Sequence, residues 1–207
     1  MMETDKKFLI VGLGNAEDQY SGTRHNIGFE IVSAIAKDLG VTFTQDRYAY
    51  VARAKFKGRT IVLLMPTTYM NLSGKAVRYW LDMEKVAVDN LLIISDDIDL
   101  PLGVLKMKPK GGGGSHNGLN HIIEILGHQD FSRIRFGVGK NYAQGYQVDY
   151  VLGKFSSEEL KQIEPSIAKA VQAVKSMSTI GLGRTMNEIN AWRPIVCRQE
   201  QEDVKNE

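Results

Sequence analysis

Short apolar runs that end in glycine or aspartate constrain the fold of this chain more than any other feature. Residues 8–12 read Phe-Leu-Ile-Val-Gly, and the segment at residues 90–95, which has four apolar residues between Asn90 and Ser95, is followed directly by Asp96 and Asp97. Short runs rich in β-branched residues are typical of strands that are buried on both faces of a sheet. Both runs therefore predict buried strands of an α/β sheet.

Helices and half-exposed strands account for most of the remaining length. A four-residue spacing of apolar residues predicts a helix from Thr23 or Asn26 to Leu39. A second helix is predicted at residues 73–83, with Ser73 as its N-cap. Further helices are predicted to end near residue 126, to follow a capping box at residues 156–159, and to span residues 184–192, and further strands are predicted at residues 48–56, 60–65, 104–109 and 133–139. This mixture predicts a single three-layer α/β/α domain with a mixed, twisted β-sheet over residues 1–192, and a disordered tail at residues 193–207.

The composition excludes several classes of protein. A chain of 207 residues, 43% of them hydrophobic, is long enough to bury one substantial core. It has no long apolar run, and its charged start lacks an apolar signal segment, so neither a membrane span nor a secretory leader is predicted. Cys197 is the single cysteine, which excludes an intramolecular disulfide and cysteine-rich zinc sites. A cytoplasmic protein is expected.

His25 is the candidate reacting group. It stands between a cation and an amide, in the sequence Thr-Arg-His-Asn, at the predicted start of a helix. Imidazole exchanges a proton near neutral pH without special tuning. Because a lone histidine is more often structural than catalytic, this interpretation requires a carboxylate and hydrogen-bonding amides nearby.

Asp96 is the candidate carboxylate, because α/β sheets place functional residues at the carboxyl ends of their strands. Asp97 and Asp99 are alternatives, and the three aspartates could instead form an ordinary loop before Pro101. An aspartate that accepts a hydrogen bond from one imidazole nitrogen fixes the tautomer and makes the histidine a better base.

Three asparagines are the candidate amides. Asn15, Asn71 and Asn117 each lie in a loop beyond a predicted strand and precede or open a predicted helix. Because an asparagine side chain both donates and accepts, three that converge could hold a carbonyl oxygen and a water molecule together. Each of them alone is more often a turn residue than a site residue, and their spacing does not show that they converge.

A positive face is predicted within residues 101–140, where six lysines and arginines occur with two acidic residues. Lys106 and Lys108 alternate with Leu105 and Met107, which predicts a half-exposed strand with a basic outer face. Local positive charge on a chain whose formal net charge is +2 indicates a polyanion bound in one place. An ordinary solvated face is the alternative.

The sequence argues against four common kinds of site. The Gly-x-Gly pair after the first strand is not a dinucleotide fingerprint, because Glu17 stands where the third glycine is needed. The glycine-rich loop at residues 111–117 lacks the Gly-Lys-Ser/Thr ending of a nucleotide P-loop, although it could admit a ribose. His116 and His121 have no acidic residue at metal-ligand spacing, so no metal site is predicted. No Gly-x-Ser-x-Gly motif of a serine hydrolase is present.

Five segments in one order indicate a family. They are residues 9–15 (Leu-Ile-Val-Gly-Leu-Gly-Asn), 23–26 (Thr-Arg-His-Asn), 66–74 (Pro-Thr-Thr-Tyr-Met-Asn-Leu-Ser-Gly), 96–101 (Asp-Asp-Ile-Asp-Leu-Pro) and 111–119 (Gly-Gly-Gly-Gly-Ser-His-Asn-Gly-Leu). Over residues 6–192 the chain resembles the bacterial peptidyl-tRNA hydrolases. The resemblance implies a monomeric α/β enzyme, without metal or cofactor, that cleaves the ester between a peptide and the 3′-terminal ribose of tRNA. Such an enzyme recycles peptidyl-tRNA released from stalled ribosomes.

The resemblance also implies catalytic roles for individual residues. His25 looks like the base that activates water, and Asp96 looks like its orienting partner. Asn15 and Asn71 look like the residues that hold the peptide and its reacting carbonyl. Asn117 looks like the amide that positions the water.

Substrate contacts are implied in the same way. Tyr20, Tyr69 and Met70 match residues that contact the substrate, the last two in the peptide groove. Lys108 and Arg135 match the positions that grip the 5′ phosphate of tRNA, in agreement with the basic face. The bound parts of the tRNA would be its acceptor stem and its 3′ CCA end.

The chain departs from the family pattern at three places. Ala16 and Glu17 replace the usual Pro-Gly, and the loop at residues 127–131 is one residue short; residues 142–153 match the family's mobile lid only loosely. One rival interpretation is an RNA-binding protein of this fold that does not hydrolyse, such as the chloroplast splicing factors that resemble this family. Another is a nucleoside-processing enzyme of similar architecture. The histidine, aspartate and asparagines favour the hydrolase, and no purine-binding motif is visible.

Overall fold

Seven strands form one mixed sheet in the computed structural model, which describes residues 6–194. The strands are β1 (Lys7–Gly12), β2 (Thr44–Asp46), β3 (Ala49–Phe56), β4 (Arg59–Pro66), β5 (Leu91–Asp97), β6 (Leu105–Lys108) and β7 (Ser132–Gly137). Their order across the sheet is β2-β3-β4-β1-β5-β7-β6. The central strands β4, β1, β5 and β7 are parallel, whereas β2, β3 and β6 pair antiparallel at the edges.

Helices cover both faces of this sheet. They are α1 (Ile27–Asp38), α2 (Ser73–Glu84), α3 (Asn117–Leu126), α4 (Gln147–Leu152), α5 (Ser157–Ile180) and α6 (Leu182–Ala191). Apolar residues of α1, α5 and α6 form one core with the sheet, and those of α2 and α3 form a second core on the other face. The predicted three-layer α/β/α fold with a mixed sheet is confirmed.

A close approach of two glycines fixes α1 against the end of β1. A Cβ atom on Gly12 would lie 2.1 Å from the carbonyl oxygen of Gly28. A Cβ atom on Gly28 would in turn lie 2.5 Å from the main-chain nitrogen of Leu13. Because both obstacles are backbone atoms, only glycine fits at these two positions. The packing sets the position of the segment before α1, which contains His25.

Most predicted elements lie within a few residues of the observed ones. The capping box is confirmed, since Ser156 Oγ accepts from the Glu159 nitrogen while the Glu159 carboxylate accepts from the Ser156 nitrogen. Pro165 lies inside α5 and does not displace its start. The prediction that Ser73 is an N-cap is wrong. Ser73 is the first residue of α2, and its hydroxyl donates to the carbonyl oxygen of Met70.

Two elements escaped prediction, the short edge strand β2 and the six-residue helix α4. The three residues of β2 are all exposed, so no apolar alternation marks the strand. Helix α4 has no buried residue and therefore no apolar face that could be read from the sequence. The predicted tail falls almost wholly on residues 195–207, which lie outside the described residues, as does Cys197. The proposed division at residue 192 stays a prediction.

Candidate active site

His25 and Asp96 are joined by a hydrogen bond of 2.8 Å between Nδ1 and Oδ1. His25 lies in the 3-10 turn Arg24–Asn26 that leads into α1, and Asp96 lies near the end of β5. Of the three candidate aspartates, Asp96 is the one that the structure brings to His25. An ionised carboxylate can only accept, so Nδ1 carries the hydrogen and Nε2 is left as the basic nitrogen. Nε2 has no hydrogen-bond partner within residues 6–194.

A second imidazole contacts the same carboxylate oxygen. Nε2 of His116 lies 3.0 Å from Oδ1 of Asp96, and its Nδ1 accepts from the Leu119 nitrogen at the start of α3. Because Nδ1 is an acceptor, Nε2 carries the hydrogen and donates to Asp96. The rings of His25 and His116 lie 5.0 Å apart between centroids. Asp96 thus receives one hydrogen bond from each imidazole.

The two imidazoles determine the charge of Asp96. Its side chain is only 4% exposed, and burial by itself would raise the pKa of this carboxyl group. The positive potential and hydrogen bond of His116, and then those of His25, outweigh burial and hold the pKa of Asp96 well below its usual range. Asp96 is therefore a carboxylate at neutral pH.

The same three residues are the group that could hold a metal ion in the described part of the chain. One atom from each of His25, Asp96 and His116 lies within 4.8 Å of the others. The sequence shows no acidic residue at metal-ligand spacing from His116, but the fold brings Asp96, which lies 20 residues away on a different element, to its ring. Each ring nitrogen that faces Asp96 already has a hydrogen bond, so the arrangement is also complete as a proton network.

Asn15 is held on both its main chain and its side chain. Its nitrogen donates to Asn26 Oδ1 at 2.8 Å, and its carbonyl oxygen accepts from Asn26 Nδ2 at 2.9 Å. Its own Oδ1 accepts from the Met70 nitrogen at 3.3 Å. The amide nitrogen of the Asn15 side chain is therefore the group left to donate into the cleft. Asn26, which is 4% exposed, acts as the clamp.

A cleft of about 600 Å³ gathers most of the predicted site residues. Its lining includes His25, Asp96, Asn15, Asn71, Asn117, Tyr69, Met70, Lys108 and Arg135. Asn71 and Asn117 are exposed, and Tyr69 is 67% exposed at the rim. Tyr20 is not among the lining residues. It ends the 3-10 turn Asp18–Tyr20, and its carbonyl oxygen accepts from the Thr23 hydroxyl.

The glycine-rich loop forms part of the wall of this cleft. A Cβ atom on Gly113 would lie 2.3 Å from Asn120 Oδ1, and Gly114 has a φ of +57°. Larger residues would push this loop away from α3. The guanidinium of Arg133 holds the loop from below by donating to the carbonyl oxygen of Gly112 at 3.2 Å. Burial and then the charge of Arg135 lower the pKa of Arg133 to about 10, which leaves it protonated at neutral pH.

Like charges stand opposite each other on the edge of the sheet. Lys106 faces Arg135 and Lys108 faces Arg133 in the β6–β7 register, so the four cations share one face. Directly opposed like charges destabilise a strand pair. The carboxylate of Asp97 pairs with the guanidinium of Arg135, which orients that side chain without neutralising the other three. A bound polyanion would offset the repulsion among these four cations.

Comparison with known proteins decides the family. A model of the peptidyl-tRNA hydrolase family matches residues 9–198. A protein named peptidyl-tRNA hydrolase from Cytophaga hutchinsonii is 51% identical over 184 residues, which cover 89% of this chain and 98% of the relative. The chain belongs to the peptidyl-tRNA hydrolase family. A relative of the same name from Porphyromonas gingivalis is 48% identical, covering 89% of this chain and 100% of its own length.

Solved structures of the peptidyl-tRNA hydrolase family have the same fold as this chain. The crystal structure of peptidyl-tRNA hydrolase from Acinetobacter baumannii matches with a TM-score of 0.86 and 34% sequence identity, covering 93% of this chain and 99% of that one. The family resemblance inferred from the five segments is confirmed. Within residues 6–194, no helix combines the length and the apolar character that a membrane crossing requires.

Three contacts in the site of this member of the peptidyl-tRNA hydrolase family were not predicted from the sequence. His116 binds Asp96, Asn26 clamps Asn15, and Asp97 orients Arg135. His116, Asn26 and Asp97 are each adjacent in sequence to a candidate catalytic residue, and each lies inside one of the five family segments. Their pairing depends on contacts between elements distant in sequence, which residue spacing does not reveal.

Proposed function

We propose that this chain hydrolyses the ester that joins a peptide to the 3′-terminal ribose of tRNA, with His25 as the general base. Membership of the family supports the activity. The 2.8 Å hydrogen bond from Nδ1 of His25 to buried Asp96 supports the assignment of the base, since it leaves Nε2 beside the cleft without a hydrogen-bond partner among residues 6–194. Asp96 keeps its charge and stabilises the imidazolium that forms during the reaction.

The proposed reaction passes through a tetrahedral intermediate. Nε2 of His25 takes a proton from a water molecule while the water oxygen forms a bond to the ester carbonyl carbon, whose oxygen becomes an oxyanion. The intermediate then expels the ribose oxygen, which takes the proton back from Nε2. The products are the peptide acid and a tRNA with a free ribose hydroxyl. Asp96 remains ionised throughout.

The asparagines supply hydrogen bonds where charge develops. The Asn15 side chain has its oxygen committed to the Met70 nitrogen, so its amide nitrogen can donate to the reacting carbonyl. Asn71 and Asn117 line the cleft with exposed amides, and they are assigned to the peptide and to the attacking water respectively. Donors held in place before the reaction stabilise an oxyanion without having to reorganise.

The basic face is assigned to the tRNA. Lys108 and Arg135 line the same cleft as His25, so a bound acceptor stem could present its 3′ CCA end to the base while its 5′ phosphate rests on these cations. Tyr69 and Met70 are assigned to the peptide side of the cleft, and Tyr20 to a position outside it. A metal-free monomer that works in the cytoplasm, where ribosomes produce the substrate, completes the proposal.

Incubation with N-acetyl-aminoacyl-tRNA tests the activity. Release of the N-acetyl-amino acid by the wild-type protein, and its loss in His25→Ala, is the expected pair of results. Unacetylated aminoacyl-tRNA, which differs from this substrate only in lacking the acetyl group, serves as the control substrate. Tight binding of the acetylated substrate without any release would support the RNA-binding interpretation and contradict the proposal.

A further inference from the structure

The residue before the proposed base, Arg24, is bound to a distant part of the chain. Its Nη2 lies 2.9 Å from both carboxylate oxygens of Glu159 at the start of α5. Its Nη1 donates to the carbonyl oxygens of Lys154 at 3.0 Å and Tyr150 at 3.4 Å. The main-chain nitrogen of Arg24 adds a 3.0 Å bond to the carbonyl oxygen of Gly153. Arg24 thus joins the 3-10 turn Arg24–Asn26, which contains His25 and is called the catalytic turn below, to the junction between α4 and α5.

Arg24 is suited to this contact by its shape. It is only 9% exposed, and its guanidinium lies 4.3 Å from the centre of the Tyr150 ring and 5.2 Å from that of Phe155. A planar fork can satisfy a carboxylate and two carbonyls at once while stacking on an aromatic face. A lysine carries the same charge but cannot make this set of contacts.

Helix α4 depends on such external contacts for its stability. It has six residues, none of them buried, and a helix of that length is unstable by itself in water. The carbonyl oxygen of Tyr150 lies in its last turn, where helical carbonyls lack internal partners. The Gly153 nitrogen donates to this oxygen at 3.1 Å, and Arg24 adds a second donor at 3.4 Å from outside the helix. The Tyr150 hydroxyl donates to the Val138 carbonyl oxygen at 2.7 Å.

The same helix forms one wall of the cleft. Four of its six residues, Gln147, Val148, Val151 and Leu152, line the cleft together with His25. Val148 is 65% exposed, as expected of an apolar side chain that faces an open binding site rather than the core. Anything that loosens α4 therefore removes a wall from the cleft without altering the hydrogen bond between His25 and Asp96.

We propose that Arg24 is a positioning residue that docks α4 against the catalytic turn and so forms the substrate-binding wall of the cleft. The substrate part of this inference rests on the proposed function, whereas the docking part does not. Because Arg24 and His25 are adjacent in sequence, the same turn positions both the proposed base and the helix that forms this wall of the cleft. Loss of the guanidinium should therefore weaken substrate binding more than it slows the chemical step.

Hydrogen exchange of the Arg24→Lys variant tests the docking without any substrate. Amides of residues 147–154 should exchange about tenfold faster, because α4 can then open without the cost of breaking the guanidinium contacts. Exchange of the amides of β1 and β5 should be unchanged. Ser156→Ala is the matched control. It removes the hydroxyl that caps α5 but leaves Arg24 and Glu159 paired, so it should lower Tm without a selective change at residues 147–154.

Steady-state kinetics on N-acetyl-aminoacyl-tRNA completes the test. Arg24→Lys should raise KM by about tenfold and change kcat by less than about threefold, whereas Ser156→Ala should leave both near wild type. If Arg24→Lys does not fold, Glu159→Gln replaces it, since glutamine keeps the capping box but removes the charge.

Two results would overturn the inference. One is unchanged exchange over residues 147–154 in a folded variant, and the other is faster exchange spread evenly over the chain, which would mean a general loss of stability. If the wild-type protein releases no amino acid, the proposed function fails, but the exchange result still decides whether Arg24 docks α4.

Discussion

Asp96 and Asp97 are consecutive residues of β5, yet their carboxylates bind different groups. Asp96 accepts from His25, which leads into α1, whereas Asp97 pairs with Arg135 on the basic face of β7. Successive side chains of a strand point to opposite faces, so one strand end supports both groups. The proposed chemistry and the proposed grip on tRNA can therefore be changed separately by mutation.

Replacement of His25 by alanine should reduce kcat by about 10²–10⁴, which is the usual contribution of general acid–base catalysis. The fold should be retained, since no other side-chain hydrogen bond of His25 occurs within residues 6–194. His128→Ala is the matched control, because His128 lies outside the cleft. Release of N-acetyl-amino acid is the measurement, and wild-type turnover in His25→Ala would refute the assignment.

His116→Asn should separate two functions of one imidazole. Asparagine is a good N-cap, so α3 and the Tm should be largely preserved, but its shorter side chain should lose the bond to Asp96. Loss of a hydrogen bond to a charged group predicts a fall in kcat of about tenfold or more. Thermal unfolding and single-turnover kinetics check the two parts. A variant with lower Tm but normal kcat would make His116 merely structural.

All strands except β2, and the candidate base, were predictable because their signals are local. Residues 8–12 are uniformly apolar, and β1 has buried side chains throughout except at its first residue. Helix α1 follows from the isoleucine spacing, and its predicted start near Asn26 lies within one residue of the observed one. The aspartates at the end of β5 were also visible, since strand ends in parallel sheets carry function.

The remaining features depend on contacts between distant residues. Which of three aspartates meets His25 depends on the register of β5 and on the close packing of Gly12 against Gly28. Helix α4 depends on Arg24, more than 120 residues away, and no apolar periodicity marks it. Sequence spacing cannot report such pairs, because tertiary contacts rather than local preferences decide them.

Stability in acid should depend on Asp96. Its pKa in the folded protein is lowered from the ordinary value of 3.8, so its stabilising contribution is fully present above that pH and is lost as the pH falls below it. The free energy of unfolding of Asp96→Asn should therefore lie below wild type at pH 7 and approach it at pH 3. Urea unfolding at several pH values measures this difference, with exposed Asp89→Asn as the control. A gap that stays constant down to pH 3 would contradict the charge assignment.

Gly28→Ala should destabilise the protein by about 1–3 kcal/mol through overpacking. A Cβ atom there would lie 2.5 Å from two main-chain atoms of Leu13 and 2.6 Å from the Ile94 carbonyl oxygen, none of which can move alone. Gly183→Ala is the matched control, because nothing lies within 4 Å of its added Cβ and it stands in helix α6. That change should keep or slightly raise stability. Equal losses in both variants would mean that the close approach is not the cause.

The contribution of Lys108 and Arg135 to tRNA binding should be measurable from the dependence of the affinity on salt concentration. If Lys108 and Arg135 each hold a phosphate oxygen, Lys108→Ala or Arg135→Gln should weaken tRNA binding and reduce the log–log salt slope by roughly 0.7–0.9 per lost contact. Glutamine is chosen at position 135 because alanine would leave the buried Asp97 carboxylate without its partner. Lys161→Ala, an exposed change of equal charge on α5, is the control and should leave the slope unchanged.

Removal of the 5′ phosphate from the tRNA locates that contact. It should weaken wild-type binding about as much as either substitution does, and the substitution and the removal together should cost little more than one alone, since both delete the same interaction. Hydrolysis of a minimal N-acetyl-aminoacyl ester without a 5′ end should be almost unaffected in the variants, because Asp97 and Arg135 form a pair separate from that of Asp96 and His25. Full additivity would mean that the cations contact something other than this phosphate.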